Sequence, residues 1–327
     1  MPFTVKKFMK KWIKAARLRT LPLSISGILV GSAAAYKEYH VQDNYYIIVV
    51  LCLLTTLFFQ VLSNYANDYG DAVKGTDNEN RVGPKRAVQS GEITQKEMKN
   101  AIIITSVLSL ITSLGVIYAS FGSDNFLSAI LYFVLAIACV AAAIKYTVGN
   151  SAYGYRGLGD LFVFIFFGWV STLGSYYLFG HTLDLHVIFP ATAIGLLSIS
   201  VLNMNNMRDV ENDTTMGKNT LVVKMGFEKA KQYHWFLITF AIILFNLYAI
   251  NTFSKWYQFV FIVGFIPLFK NIVVVSKATN PRSLDPELKR LSLSTFLISL
   301  LLVFALILNA FIYENNVPWT RFFSNWS

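Results

Sequence analysis

The sequence predicts an all-α, polytopic membrane protein. Three observations carry that prediction. Of 327 residues, 55% are hydrophobic and only 14% are charged, against about 25% charged in a soluble domain. The apolar residues gather into runs close to the ~20 residues a membrane helix needs. Finally, 25 of the 28 Lys and Arg fall on one side of the alternation those runs define.

Nine runs are read as spans: 20–36, 45–66, 100–121, 126–148, 159–179, 186–205, 233–251, 256–276 and 292–313. Pro22 and several Ser and Gly residues interrupt the first. An odd count puts the termini on opposite sides. Placing the N-terminus in the cytoplasm leaves only Lys37, Lys255 and Arg321 outside, a strong positive-inside pattern. The net charge of +10 is therefore a topological signal toward a lipid bilayer and not a nucleic-acid footprint. Residues 1–19 form a basic, amphipathic segment, with Phe8, Trp12, Ala15 and Ala16 near one helical face. That suits a helix lying on an anionic cytoplasmic leaflet, although Lys6–Lys14 before Ala33-Ala34-Ala35 also mimics a signal peptide. Residues 20–313 are the transmembrane domain, and 314–327 a short tail on the far side. The expected location is the cell (inner) membrane. Cys52 and Cys139 sit in apolar runs, and the four His are scattered, so neither a disulfide framework nor a His-based metal site is expected.

The acids share the asymmetry of the cations: six of eighteen lie in 68–97 and four in 209–228. Two clusters resemble each other. Asn67-Asp68-Tyr-Gly-Asp71 leads to Asp77, and Asn205-Asn206-Met-Arg208-Asp209 leads to Asp213. Each begins as an apolar helix ends, and each contains Asn-x-x-x-Asp, which sets the two side chains one turn apart on one helix face. Carboxylates stacked this way repel unless a cation intervenes. Mg²⁺ takes oxygen ligands and is commonly held by one or two carboxylates plus substrate phosphates. Two such helix ends suit Mg²⁺ bridging a diphosphate, with Lys145, Arg156, Arg208 and Lys218 as phosphate contacts and the departing charge neutralised in place. Ordinary solvated caps and a cation path through the membrane are the competing readings. The spans themselves contain almost no acids, which speaks against the second. A third polar stretch, 145–160, holds Tyr146, Tyr153 and Tyr155 among five Gly or Ala. It reads either as a platform for a planar acceptor or as a loop with interfacial Tyr.

These residues resemble a known family. Asn67–Asp71 and Asp209–Asp213 are similar to the two aspartate-rich motifs of the UbiA superfamily of intramembrane prenyltransferases. Ala16–Pro22, Gly75–Asn78 with Arg81–Thr94, Tyr153–Gly159 and Asn205–Gly226 resemble the branch that prenylates 1,4-dihydroxy-2-naphthoate. The similarity runs from about residue 12 to 310. It implies nine transmembrane helices around a central cavity. It also implies Mg²⁺ bound through Asn67, Asp71, Asn205, Asp209 and Asp213, with Asp68 or Asp77 beside them. Arg19, Asn67, Asn206, Arg208, Lys218 and Tyr155 are expected to contact substrate. Asp71, Asp209, Arg156, Lys145 and Tyr153 are expected to take part in catalysis, with Arg156 or Lys145 anchoring the acceptor carboxylate. The implied reaction joins polyprenyl diphosphate to 1,4-dihydroxy-2-naphthoate with loss of CO₂ and diphosphate, giving demethylmenaquinone. Other acceptors, 4-hydroxybenzoate or haem, remain open, and a membrane cation transporter is the alternative outside the class. Gly75 stands where the superfamily often has Asp, and Gly149-Asn150 where the branch commonly has Gly-Pro.

Overall fold

The apolar runs form helices throughout. A computed structural model describes residues 2–39, 44–79 and 81–314, with no strand among them. The principal helices are α1 (Pro2–Ala16), α2 (Leu21–Tyr39), α3 (Tyr45–Val73), α4 (Gln95–Phe121), α5 (Phe126–Lys145), α6 (Gly159–Gly180), α7 (Leu185–Arg208), α8 (Phe227–Thr252), α9 (Trp256–Lys277) and α10 (Asp285–Glu314). Eight of them, α3 to α10, are long and apolar enough to cross a membrane. A ninth span is reached only if α1 and α2, bent by 61° at their junction, count as one. The protein is thus a helical, multi-pass membrane protein. The greater part of the expected C-terminal tail, 315–327, lies outside the described residues.

Burial separates the helices. In α5 only 6% of the most apolar window is buried, whereas in α7 61% is. So α7 is the inner helix, packed by α8, α10 and α6, while α5 turns its side chains outward. The close approach of α6 to α7 needs glycine: a Cβ on Gly168 would lie 2.8 Å from both the Ala191 carbonyl oxygen and the Gly195 Cα. Beside that contact, Phe164–Val170 winds as a π-helix, a form concentrated at functional positions.

Two of the helices overrun their expected limits toward the acid clusters. α3 continues from 66 to Val73, so Asn67, Asp68 and Asp71 ride its last turns. α7 runs to Arg208 and Asp209 caps it. The polar residues there continue the helix because Asp71, Asp68 and Thr76 each find a partner in the following loop or in Tyr155, as described below. α4 starts from a capping box, Thr94 with Glu97, which satisfies two orphan amides reciprocally. α1 packs on α3 through an edge-to-face contact of Trp12 with Tyr65, reaches α4 through Lys11–Glu97 (3.3 Å) and reaches the loop before α4 through Lys14–Glu92 (2.9 Å).

Candidate active site

Seven helices surround a cavity of about 650 Å³. Its polar end takes residues from both acid clusters: Asn67, Asp71, Arg81 and Arg86 from the first, and Asn205, Arg208 and Lys218 from the second. Away from that end the wall is apolar, with Phe162, Phe166, Phe167, Leu178 and Val116 among its members. A chain of hydrogen bonds ties the clusters together. Asn212 Nδ2 donates to the Thr76 carbonyl at 3.0 Å, Thr76 Oγ1 pairs with the Tyr155 hydroxyl at 2.6 Å, and that hydroxyl donates to Asp71 Oδ1 at 2.7 Å. Residues 138 positions apart in sequence therefore meet at one cavity, as the two matching clusters predicted.

The first cluster is held by its own loop. Arg86 Nη1 donates to Asp71 Oδ2 at 2.5 Å and to the Asn67 carbonyl at 2.9 Å. Asp68 turns to the other side of the helix, where its carboxylate accepts from the amides of Ala87 (3.1 Å) and Val88 (3.2 Å). It anchors the loop that presents Arg86 and does not line the cavity. Asp77 lies 3.3 Å from Arg81 and 3.0 Å from Arg86. Both its oxygens nonetheless lack a hydrogen bond, because neither guanidinium is aimed at them. Burial pushes the Asp77 carboxyl up to about 6, against the pull of Arg86 and Arg81. Gly83 lets the loop pass close to both guanidinium groups: a Cβ there would come within 2.9 Å of an Arg81 Nη and 3.1 Å of an Arg208 Nη, which would have to move aside.

The second cluster is held by its neighbour. Arg208 is 2% exposed. It donates to Asp209 through Nε (3.0 Å) and Nη2 (2.6 Å), to Asn205 Oδ1 (2.9 Å) and to Asp285 (2.7 Å). Burial raises the Asp209 carboxyl, but the Arg208 hydrogen bonds and charge outweigh it and hold Asp209 below its usual range. Asp213 Oδ1 is 3.7 Å from Lys218, and its Oδ2 is buried without a partner. Burial lifts Asp213 to about 6, opposed by Lys218.

Several expected residues stand elsewhere. Lys145 and Arg156 are exposed and absent from the cavity wall; the Arg156 carbonyl accepts from Lys224 at 2.6 Å. They are the last residues of α5 and of a short 3₁₀ turn (Tyr153–Arg156), where side chains splay into water. Asn206 is buried but lies off the cavity, since only Asn205 shares the face that carries Arg208. Asp77, Tyr155, Asp209 and Asp213 also stand behind the wall, each touching a lining residue, Arg86, Asp71, Arg208 and Lys218 respectively. The Arg19 side chain is outside the described residues. Tyr153 lines the cavity with its ring, stacked on Phe162 at 3.9 Å, while its hydroxyl donates to the Ala142 carbonyl at 2.9 Å. Tyr146 of the 145–160 stretch lines the cavity, as do Arg81 and Arg86 from the basic residues beside the first acid cluster; Arg17, Asp285 and Lys289, not anticipated from sequence, join them. Arg17 has a left-handed backbone (φ 50°) between α1 and α2, and its Nη2 is buried without a partner. The Ala16–Pro22 motif was the sequence signal, but no rule of spacing separates Arg17 from Arg19; the left-handed backbone, uncommon for a non-glycine residue, is seen only in the fold.

The donor set fits a hard divalent cation. Asn67 Oδ1, both oxygens of Asp77 and Asp213 Oδ2 are buried oxygen acceptors with nothing donating to them, the atoms Mg²⁺ prefers. Among the described residues no three His, Cys, Asp or Glu stand close enough to enclose a metal unaided. The oxygens present suit an ion that completes its shell with water and phosphate.

A membrane helical bundle with paired acid clusters, interposed guanidinium groups and an apolar cavity behind them is built to hold an amphiphile with a polyanionic head. Residues 24–293 match the UbiA prenyltransferase family, and the chain belongs to it. It is 40% identical over 303 residues to a 1,4-dihydroxy-2-naphthoate octaprenyltransferase of Haemophilus influenzae, covering 92% of this chain and 96% of that protein. It is 41% identical over 301 residues to the Escherichia coli K12 protein of the same name, covering 91% and 95%. Its fold resembles that of a UbiA homologue from Archaeoglobus fulgidus bound to DMAPP and Mg²⁺, with a TM-score of 0.61 at 17% identity over 90% of this chain and 99% of the other.

Proposed function

We propose that this protein transfers a polyprenyl group from polyprenyl diphosphate to 1,4-dihydroxy-2-naphthoate. The observation that carries the reading is the joint lining of one cavity by Asn67/Asp71 and Asn205/Arg208. The names of the two relatives supply the acceptor.

The cations at the cavity head, Arg81, Arg86, Arg208 and Lys218, receive the diphosphate, and the apolar wall takes the prenyl chain. Mg²⁺ would be held by Asn67, Asp71, Asn205, Asp209 and Asp213, with Asp77 completing the first site, and would neutralise charge on the leaving oxygens. Asp68 belongs to the scaffold, because both its oxygens already accept from backbone amides. As the C1–oxygen bond breaks, the rings of Tyr146, Tyr153 and Phe162 face the allylic cation and exclude water. Tyr155 keeps Asp71 oriented through its hydroxyl. Arg17, with an unpaired Nη2, takes the acceptor carboxylate, the role first assigned to Arg156 or Lys145.

The ring carbon bearing the carboxylate attacks C1 of the chain. Its C–CO₂ bond then breaks, and the electron pair restores aromaticity. No ring proton needs a strong base. The products are diphosphate, CO₂ and the prenylated diol, which on oxidation is demethylmenaquinone. By charge sorting, the site opens toward the cytoplasmic face of the cell membrane.

The test is incubation of the purified protein with 1,4-dihydroxy-2-naphthoate, Mg²⁺ and prenyl diphosphates of several lengths. A prenylated product released with equimolar CO₂ is expected. Product from 4-hydroxybenzoate and none from the naphthoate overturns the acceptor; ion flux with no prenyl product overturns the enzyme.

A further inference from the structure

α10 has two working faces. Asp285, Leu288, Lys289 and Ser292 line the cavity, at the spacing of one helix face. Glu287 and Arg290 turn toward α9 instead. There Phe269, Lys270, Val273 and Val274 of α9 and Arg290 of α10 form a shallow groove of about 570 Å³. Phe269, Val273 and Val274 are exposed on helices apolar enough to span a membrane, so this groove faces hydrocarbon.

The catalytic site uses neither of the two cations in it. Lys270 is exposed and has no carboxylate within ion-pair range among the described residues. It precedes Lys277 at the end of α9 by two turns, about 10 Å along the axis. A cation at that depth is costly unless its head finds a polar partner. Arg290 is fixed by a buried chain through the bundle. It pairs with Glu287, which is 4% exposed. Glu287 accepts from Asn271 Nδ2 at 3.0 Å, and Asn271 Oδ1 meets His234 Nε2 at 2.9 Å. Glu287 balances one of the two cations, so the groove keeps one positive charge beside an apolar wall. Its complement is a single negative charge on a phosphate that carries hydrocarbon.

We propose that the groove between α9 and α10 binds an anionic phospholipid, its phosphate on Lys270 and Arg290 and an acyl chain against Phe269, Val273 and Val274. Basic clefts between membrane helices take such headgroups. A zwitterionic lipid offers the same phosphate but brings its own ammonium, which meets the uncompensated cation unfavourably.

The test is native mass spectrometry of the full-length protein with phosphatidylglycerol or phosphatidylcholine as probe. The unaltered protein is expected to retain one phosphatidylglycerol in preference to phosphatidylcholine. Lys270→Gln should weaken phosphatidylglycerol retention about five-fold, the usual weight of one basic residue at a membrane surface, and leave phosphatidylcholine unchanged. Arg290→Gln strands Glu287 and can unfold the protein, so Lys270→Gln carries the test. Lys99→Gln, an exposed lysine remote from the groove, should change nothing. Equal retention of the two lipids, an unchanged Lys270→Gln, or an equal loss in Lys99→Gln overturns the proposal.

Discussion

The two acid clusters share a sequence pattern but not a method of charge balance. At the end of α7 the counter-charge is adjacent: Arg208 grips Asp209, Asn205 and Asp285 from within the motif itself. At the end of α3 it comes from fifteen residues away, with Arg86 delivered by a loop that Asp68 pins. Pseudo-repeated helix ends can thus be electrostatically equivalent while one is rigid and the other depends on how a loop folds. Both place guanidinium groups between the carboxylates, so both are poised to exchange some carboxylate contacts for phosphate.

The largest effect separates shared function from different support. Asp71→Ala and Asp209→Ala should each lower prenyl transfer by about 10²–10³-fold, the scale for losing one electrostatic stabiliser, in a turnover assay at saturating Mg²⁺. Near wild-type activity in either would show that the clusters are not partners. Next comes Arg208→Ala, which strands buried Asp209 and should cost about 3–5 kcal/mol of stability, read as a fall in Tm. Asp68→Asn should cost about 1–3 kcal/mol through the Ala87 and Val88 amides while leaving the Mg²⁺ concentration for half-maximal activity unchanged. A raised Mg²⁺ requirement would return Asp68 to the metal site. Tyr155→Phe removes the hydroxyl's two hydrogen bonds, to Thr76 and to Asp71; losing the one that orients Asp71, worth about 1 kcal/mol, should lower kcat/KM by roughly five-fold. Lys145→Gln and Arg156→Gln should fall within about two-fold of wild type in kcat/KM, because neither side chain reaches the cavity.

Much of this was legible before any coordinates. Hydropathy located the eight long helices α3 to α10, since lipid imposes one solution on the backbone, although α3, α4, α8 and α10 each run five to seven residues past an expected limit. The first span was the weak one, and it remains the one whose crossing depends on a bend. The repeated Asn-x-x-x-Asp correctly implied convergence at one site. What sequence could not give was direction. Asp68 and Asp71 are three residues apart, yet one faces amides and the other the cavity, because the loop packs on only one side of α3. Arg156 and Lys145 lie close in sequence to Tyr153, but side chains at chain turns point where the turn sends them. Arg17 was indistinguishable from other cytoplasmic-side cations, and Arg81 and Arg86 from their neighbours Lys74 and Lys85, until packing buried them.

The widened turn in α6 carries a final consequence. Ile165, Phe166, Phe167, Trp169 and Val170 all border the same hollow, five of six successive positions, which a regular 3.6-residue winding would scatter around its circumference. The extra residue works like a slipped tooth in a gear. Deleting it would leave a continuous rod but rotate everything toward Gly180 by about 100°, turning Gly174 and Leu178 away from the cavity they line and swapping one greasy lining for another.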